Sequence, residues 1–580
     1  MSIPRHLFHA KNRGDCSTIT QMQVSDLVRT LLTKRGIPES EFETFLSPNY
    51  EQHTHSPFLF KDMDVAVARV FAAMERGERI TVYADFDCDG IPGASVLSDL
   101  FRKIGYENVT VYLPHRDKEG YGFHIAAIEK LATEGTKLII TVDVGTTAIE
   151  PVKFAKGLGV DVIVTDHHEI PGELPDAVAV LNPKIAPYPF PGLCGAGVAF
   201  KLAQALLYKG RSCVDKGPTF AGFATIPEGW EKWLLDLVAI ATVADLVPLV
   251  GENRTLVYWG LQVLRKSPRP GIVALVNQLR LRKAELDETD IGFSFAPRIN
   301  AASRMGEPGL ALRLLTTQDR AEAAKIASEL ETLNASRKGV VAGIVKEAKK
   351  RARQRFNEGD AITVLGDTEW KPALLGLAAN SVMNERGGVV CLWGRDANGV
   401  LKGSCRSDGN ISIMDLFSNA RASLVESGGH AASGGFTVTS ENIHTLPEVL
   451  AQAAAACNAI GSPEAPSHDS LTSLREISAS LFREVSLLAP FGMGNSKPIF
   501  RIPRARIISV RRFGKEKNHT EVSLLCSETG KTQRAFQFFK APENFSRLPI
   551  PDDLVDVLAT IERDSFRGGH ALRIVDILSI

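Results

Sequence analysis

The sequence predicts an α/β protein: a parallel-sheet domain joined by a long helix to a second α/β domain, followed by a C-terminal β-barrel of OB type. Three observations carry this expectation. From about residue 78, short β-branched runs at 80–84, 109–113, 138–142, 160–165 and 177–181 alternate with helix-like sequence, the pattern of parallel strands and crossover helices. Between 318 and 356 apolar residues recur close to a 3.6 period, at Ile326, Leu330, Leu333, Val340 or Val341, and Ile344 or Val345, which predicts one helix despite Gly339 and Gly343. Beyond about residue 485, short strands such as 507–510 and 522–525 fit a small barrel.

In chain order, residues 1–60 read as a mainly helical lead-in punctuated by Pro38 and Pro48, 61–317 as the parallel-sheet domain and 318–357 as the connecting helix. Residues 358–460 form the second domain, 461–484 a linker opening on GSPEAPSHDS, and 485–580 the barrel. The second domain opens on a strand at 361–365 and closes on the alanine-rich stretch 451–456. Its glycine pairs Gly387-Gly388, Gly428-Gly429 and Gly434-Gly435 read as turns. A length of 580 residues suits about four folding units, and 44 % apolar with 23 % charged residues excludes disorder. No run approaches the roughly 18 apolar residues of a membrane span, since 234–250 is interrupted by Asp236 and Asp245. The first residues lack a signal peptide's apolar core. Eight scattered cysteines without a CxxC pair argue against a disulfide framework or zinc ribbon, so a reducing cytoplasm is the expected location. The 67 Lys+Arg balance 67 Asp+Glu, which excludes a global polycation. Any polyanion must be met by a local patch.

The densest chemistry is YADFDCDG (83–90), where Asp85, Asp87 and Asp89 alternate directly after a strand. On an extended chain all three carboxylates point the same way, and such crowding raises their pKa values unless a cation compensates. LIITVDVGTTA (138–148) places Asp143 at another strand tip, and VIVTDHHEI (162–170) places Asp166, His167 and His168 at a third. Adjacent histidines on an extended chain face apart, which gives them different tasks, one at a metal and the other at substrate. Asp245 sits among apolar residues in DLVAIATVADLVPLV (236–250). Taken singly, each acid also reads as a turn former or helix cap. Together, at strand or segment ends of one α/β domain, carboxylates with few histidines and no thiolates select Mn²⁺ or Mg²⁺ over structural zinc. Two such cations roughly 3.5–4 Å apart activate water and offset charge on phosphoryl oxygens, so the chemistry expected is hydrolysis of a phosphate ester.

The order DFDCDG, TVDVG, TDHH, TVADLVPL resembles motifs I to IV of the DHH phosphoesterase superfamily. YLPHRDKEGYG (112–122), APRINAASRMGEP (296–308), GGHAASGGF (428–436) and APFGMGNSKPIF (489–500) extend the likeness to the RecJ family of single-stranded-DNA exonucleases, from about residue 60 onward. The resemblance implies a 5′ to 3′ exonuclease using two Mn²⁺ or Mg²⁺ ions, built from DHH, DHHA1-like and OB-like domains. It implies Asp87, Asp89, Asp143, His167 and Asp245 as metal ligands, Asp143 bridging, Asp85 and Asp166 in support, and His168 at the scissile phosphate. Arg116, Arg298, Asn300 and Arg304, with Ser404, Arg406 and His430 of the second domain, would hold substrate. For Arg304 an interdomain salt bridge is the alternative, and for His430 an incidental place in a glycine-rich turn. The chain departs from the family pattern at Val144 (usually Asn), Cys88 (Ala), Ala241 (Gly) and Lys371 (His), none of which is a presumed metal ligand.

Local counts suggest how a neutral chain holds DNA. Residues 346–355 carry six basic residues and one acid, and 501–517 seven and one. Phe513 and the AFQFFK run (535–540) offer stacking faces, with core packing as the alternative. The expected partner is single-stranded DNA, with a single-strand-binding protein and a helicase as further partners, no membrane, and a monomeric state. The rival readings are a DHH phosphodiesterase for short oligonucleotides or cyclic dinucleotides, and a replication scaffold that has lost catalysis.

Overall fold

The computed structural model describes residues 24–580 apart from 218–219, 358, 458–466, 515–516 and 565–567. The chain forms two compact units, each assembled from separate stretches. One comprises the described residues of 56–245 and 260–463, the other those of 1–55, 246–259 and 464–580.

In the first unit, β1 (Arg79–Ala84), β2 (Val109–Tyr112), β3 (Thr136–Val142), β4 (Asp161–Thr165) and β5 (Ala179–Leu181) form a parallel sheet in the order β2-β1-β3-β4-β5. Each strand lies within two residues of its expected place. β1, β3 and β4 are buried almost throughout, as the unbroken apolar runs of a sheet covered on both faces require. From β1 the chain goes to β2 on one side and returns to β3 on the other. Strand order reverses there, opening a crevice at the carboxyl ends of β1 and β3.

The helix Arg320–Arg355 runs unbroken for 36 residues, with the Asp319 carboxylate accepting from Ala321 and Glu322 N–H at its start. Ala323, Ile326, Ala327 and Leu330 are buried in its first half. Ile344, Ala348 and Ala352 pack in its second half with Leu374, Leu375 and Ala378 of the helix Pro372–Arg386. A five-stranded mixed sheet follows: β6 (Ile362–Gly366), β7 (Val389–Arg395), β8 (Leu401–Ser407), β9 (Glu426–His430) and β10 (Ser433–Val438), ordered β6-β7-β8-β10-β9. Gly428-Gly429 and Gly434-Gly435 lie in paired strands, correcting their reading as turns. At Gly434 a side chain would meet Ile413 Cγ2 at 2.6 Å and Phe417 Cε2 at 2.7 Å. The glycine there admits a helix against the sheet. Cys391 and Cys405, directly opposed on β7 and β8, form a disulfide. The expectation of no disulfide framework is thus amended by one bridge whose pairing depends on strand register.

In the second unit, β11 (Ser470–Leu471), β12 (Phe500–Phe513), β13 (His519–Leu525), β14 (Thr532–Gln537), β15 (Leu554–Arg563) and β16 (His570–Leu578) form one sheet, and the β12–β15 pairing closes five strands into a barrel. Alternate residues such as Val522 and Leu524 fill its core. Val28, Leu31 and Leu32 of the helix Asp26–Lys34, with Phe42, Phe45 and Leu46, join that core, so residues 24–55 of the lead-in fold with the barrel. The linker expected at 461–484 lies outside the described residues as far as 466, and residues 1–23 of the lead-in do too. Among the described residues no helix is long and apolar enough to cross a membrane.

Candidate active site

Asp85, Asp143 and Asp166 each follow the last residue of a strand, β1, β3 and β4 respectively. The chain after Asp85 bends instead of staying extended, correcting the premise that alternation aligns three carboxylates. Asp87 Oδ1 accepts from the N–H groups of Asp89 and Gly90, and the helix Gly90–Ile104 starts at once. The three acids are thereby divided. Ligand atoms of Asp85, Asp87 and Asp143 lie within 4.8 Å of one another, as do those of Asp89, His167 and Asp245, and those of Asp143, His167 and His168. Asp143 belongs to two of these groups, the place a bridging carboxylate would occupy.

Each acid is held by its own local structure. Asp89 accepts from Gly195 and Ala196 N–H at 2.6 and 2.8 Å, at the start of the helix Gly195–Arg211, where a carboxylate suits the helix dipole. Asp143 has φ +62°, a left-handed conformation that Asp tolerates better than most residues. Gly195 packs against it so closely that a Cβ there would lie 2.6 Å from Asp143 Cβ. Asp245 follows the last residue of the helix Leu235–Ala244, at the negative end of the dipole, where only a nearby cation makes a carboxylate favourable. His167 Nε2 lies 3.2 Å from Asp143 Oδ1 and 3.6 Å from both Asp89 Oδ2 and Asp245 Oδ2. His168 Nδ1 lies 2.7 Å from Asp166 Oδ1 and 3.8 Å from Asp143 Oδ1. The histidines have different partners, as expected, yet both approach Asp143, because the chain leaves the extended conformation after β4.

The electrostatics call for cations. Burial, reinforced by neighbouring acids, holds the Asp85 and Asp143 carboxyls well above the ordinary range and pushes Asp245 up to about 9. Burial and Asp87 also raise Asp89, although His167 and two backbone donors oppose them. Asp85 Oδ1 and Asp143 Oδ1 are buried without a hydrogen-bond partner. Crowded, partnerless carboxylate oxygens beside an imidazole fit a hard or borderline divalent cation. Asp166 differs: burial would raise it, but His168 and the Thr146 N–H hold it below the usual carboxylate range. His168 in turn is raised by Asp166 against the effect of burial, whereas burial lowers His167.

Around this centre the expected substrate residues occupy distinct settings. Arg116 stacks 4.7 Å from the Phe86 ring centroid and acts electrostatically on Asp85. Asn300 Oδ1 accepts from Cys88 N–H at 3.0 Å, tying its helix to the aspartate loop. Arg304 donates to the Ala373 carbonyl rather than to an acid, so the salt-bridge alternative fails. Burial and the neighbouring Arg116, Arg337 and Arg406 push it down to about 9, still charged at neutral pH. Arg298 is engaged with Glu331 at 2.8 Å and with the carbonyls of Phe293 and Ser294. Ser404 and Arg406 lie on β8, and exposed His430 ends β9 within electrostatic reach of Glu169.

Two residues were not singled out by sequence reasoning. Arg337, on the long helix, has its Nε buried without a partner and joins the guanidinium cluster. A lone arginine on a helix gave no signal. The Tyr121 hydroxyl lies 3.2 Å from His168 Nδ1 and donates to the Asp143 carbonyl at 3.3 Å; its place in the EGYG string was the available signal. Val144 is buried in an apolar core, Cys88 and Ala241 are buried, and Lys371 precedes the helix Pro372–Arg386.

The basic stretches prove weaker than their counts. Lys349, Arg351 and Arg353 pair with acids, as do Arg501, Arg506, Arg511 and Arg512, while 515–516 lie outside the described residues. Among the aromatic candidates Phe536 is buried, Phe513 and Phe538 are half-buried, and Phe539 is 80 % exposed. The Arg573 guanidinium lies 4.5 Å from the Phe538 centroid.

Known proteins resemble this chain in all three of its domains. Residues 79–242 match the family described as DHH family, N-terminal domain, 359–457 the DHHA1 domain, and 468–575 the RecJ OB domain. The chain is 34 % identical over 514 residues to the Single-stranded-DNA-specific exonuclease RecJ of Bacillus subtilis, covering 88 % of this chain and 62 % of that relative. It is 31 % identical over 529 residues to the protein of that name from Salmonella typhimurium, covering 88 % and 89 %. The crystal structure of RecJ with Mn²⁺ from Thermus thermophilus superposes with a TM-score of 0.78 at 27 % identity, over 96 % of this chain and 76 % of that one. These matches run in order through the catalytic, second and barrel domains, and the chain belongs to the RecJ family of the DHH superfamily.

Proposed function

We propose that the protein is a metal-dependent exonuclease that hydrolyses phosphodiester bonds of single-stranded DNA, 5′ to 3′, in DNA repair and recombination. The observation that carries this reading is the pair of three-ligand groups meeting at Asp143, with four guanidiniums that have no carboxylate ion pair among the described residues close by. Relatives sharing the family are named single-stranded-DNA-specific exonucleases, and RecJ of Thermus thermophilus has been solved with Mn²⁺ and with Mg²⁺.

Asp87, Asp89, Asp143, His167 and Asp245 would hold two Mn²⁺ or Mg²⁺ ions, with Asp85 beside Asp87 in support. When bound, the ions supply activation of water and compensation of charge at the phosphoryl oxygens. The chain supplies the rest. Asp166 accepts a hydrogen bond from His168 Nδ1–H, leaving Nε2 for the scissile phosphate. Arg116, Arg304 and Arg406, with Asn300, Ser404 and His430, orient the strand's phosphates, and Arg298 braces its helix through Glu331. A passage for one strand between the catalytic and second domains would account for the preference for single strands. A monomer in the cytoplasm, working with a helicase and a single-strand-binding protein, fits the reading.

The test is digestion of 5′- and 3′-labelled single and double strands beside a dinucleotide, with Mn²⁺, Mg²⁺ or chelator. Cation-dependent release of nucleotides from the 5′ end of single strands is expected. Activity confined to the dinucleotide, or surviving chelation, overturns the reading.

A further inference from the structure

The turn that follows β5, Asn182-Pro183-Lys184, contains none of the expected site residues, yet it fixes the backbone of both histidines. Thr165 ends β4, so the peptide groups of His167 and His168 lie beyond the last rung of the sheet and need other partners. Their two N–H groups donate to Asp166 Oδ1, at 2.7 and 3.2 Å. Their two carbonyls accept from the turn: His167 O from Lys184 Nζ at 2.7 Å, and His168 O from Asn182 Nδ2 at 2.9 Å. Three side chains thus hold all four backbone polar groups of the dipeptide.

The turn is itself rigidly placed. Asp166 N–H donates to Leu181 O, carrying the β4–β5 register to the residue before Asn182. Fully buried Asn182 accepts from Lys184 N–H at 2.9 Å and donates to Thr146 Oγ1 at 3.0 Å, which ties the turn to the loop after Asp143. Pro183 restricts φ between the two. The Lys184 side chain is 28 % exposed and also pairs with Glu169, whose side chain is 79 % exposed.

We infer that Asn182 and Lys184 are positioning residues that set the rings of His167 and His168 through their carbonyls, so that the turn after β5 tunes cation affinity at the Asp89–His167–Asp245 group. The inference rests on the proposed function for its catalytic arm but not for its metal-binding arm. His167 Nε2 must satisfy three oxygens between 3.2 and 3.6 Å away, and a small rotation of its peptide would displace the ring from all three.

The experiment compares Lys184→Met, Lys184→Arg, Asn182→Ala and Glu169→Gln in the full chain. Mn²⁺ binding is measured by calorimetry without DNA, alongside kcat, KM and thermal melting. Lys184→Met and Asn182→Ala are expected to weaken one of two Mn²⁺ sites about 10- to 100-fold and to lower kcat by a similar factor, with KM for single-stranded DNA within about threefold. Lys184→Arg should recover most of both, and Glu169→Gln should stay within about twofold of wild type because its ion pair is exposed. Wild-type Mn²⁺ affinity in Lys184→Met, a change confined to KM, or an equal loss in Glu169→Gln overturns the inference. If Asn182→Ala does not fold, Lys184→Met decides alone. If the wild-type chain binds Mn²⁺ but does not cleave DNA, the functional reading fails while the calorimetry still judges the turn.

Discussion

Asp166 Oδ1 lies 2.7 Å from His168 Nδ1 and also accepts the N–H groups of His167 and His168, so one carboxylate oxygen orients both the ring and the backbone of the histidine pair. This contact raises the His168 pKa against burial. Asp166→Asn keeps the shape and removes the charge. If His168 works protonated, the expected result is a kcat about 10- to 100-fold lower and a basic limb of the pH profile moved to lower pH, since the imidazolium loses its stabilising partner. A pH series of kcat at saturating Mn²⁺ checks both.

Asp143 stands in two ligand groups. Asp143→Asn is expected to lower cleavage by at least about 10³-fold, equivalent to about 4 kcal/mol of transition-state stabilisation. Single-strand binding and melting temperature should change little. Asparagine is preferable to alanine because position 143 is left-handed, where alanine adds about 1–2 kcal/mol of strain. Nuclease assays and strand-binding isotherms on one preparation separate the two effects.

Asp245 gives the metal-free protein an unusual pH dependence. Its folded pKa is raised to about 9, so between roughly pH 4 and 9 the folded state retains a proton that the unfolded chain releases. The folded state then binds more protons than the unfolded one, and stability falls as pH rises through that window. Melting of chelated protein should show this slope, to which the raised Asp85, Asp89 and Asp143 also contribute, so Asp245→Asn should lessen it, and Mn²⁺ should raise the melting temperature most at the alkaline end.

Arg337 is expected to meet a phosphate of the strand. Arg337→Ala should weaken single-strand binding about tenfold and reduce the slope of log affinity against log salt by about 0.7, the loss of one phosphate contact on a single strand. Titrations at four salt concentrations measure both quantities. An unchanged slope would place Arg337 outside the binding track.

The strands carrying the site were legible because a parallel sheet buried on both faces demands β-branched runs, and acids at their ends stand out against them. Asp143, Asp166 and the two histidines were therefore placed correctly. The bend at 85–89 was missed because alternation implies an extended chain, although Asp87 two and three residues before its N–H donors is itself a helix-start signal. Arg337 was illegible since one arginine on a long helix resembles a solvated face until the fold sets it beside Arg304. Pairing depends on register, which is why Cys391–Cys405 and the glycine strands β9 and β10 escaped. The basic counts misled for the opposite reason: acids such as Glu385 and Asp556, distant in sequence, return to neutralise them.

Gly195 makes loss of activity readable at a position that has no side chain. Any side chain there would collide with Asp143, so a related chain bearing even alanine at this place could keep every acid and histidine and still be inert. A homologue that has become a scaffold would be recognised by its small-residue position before its ligands decay, and the same substitution offers a silent form of this protein for trapping DNA strands intact.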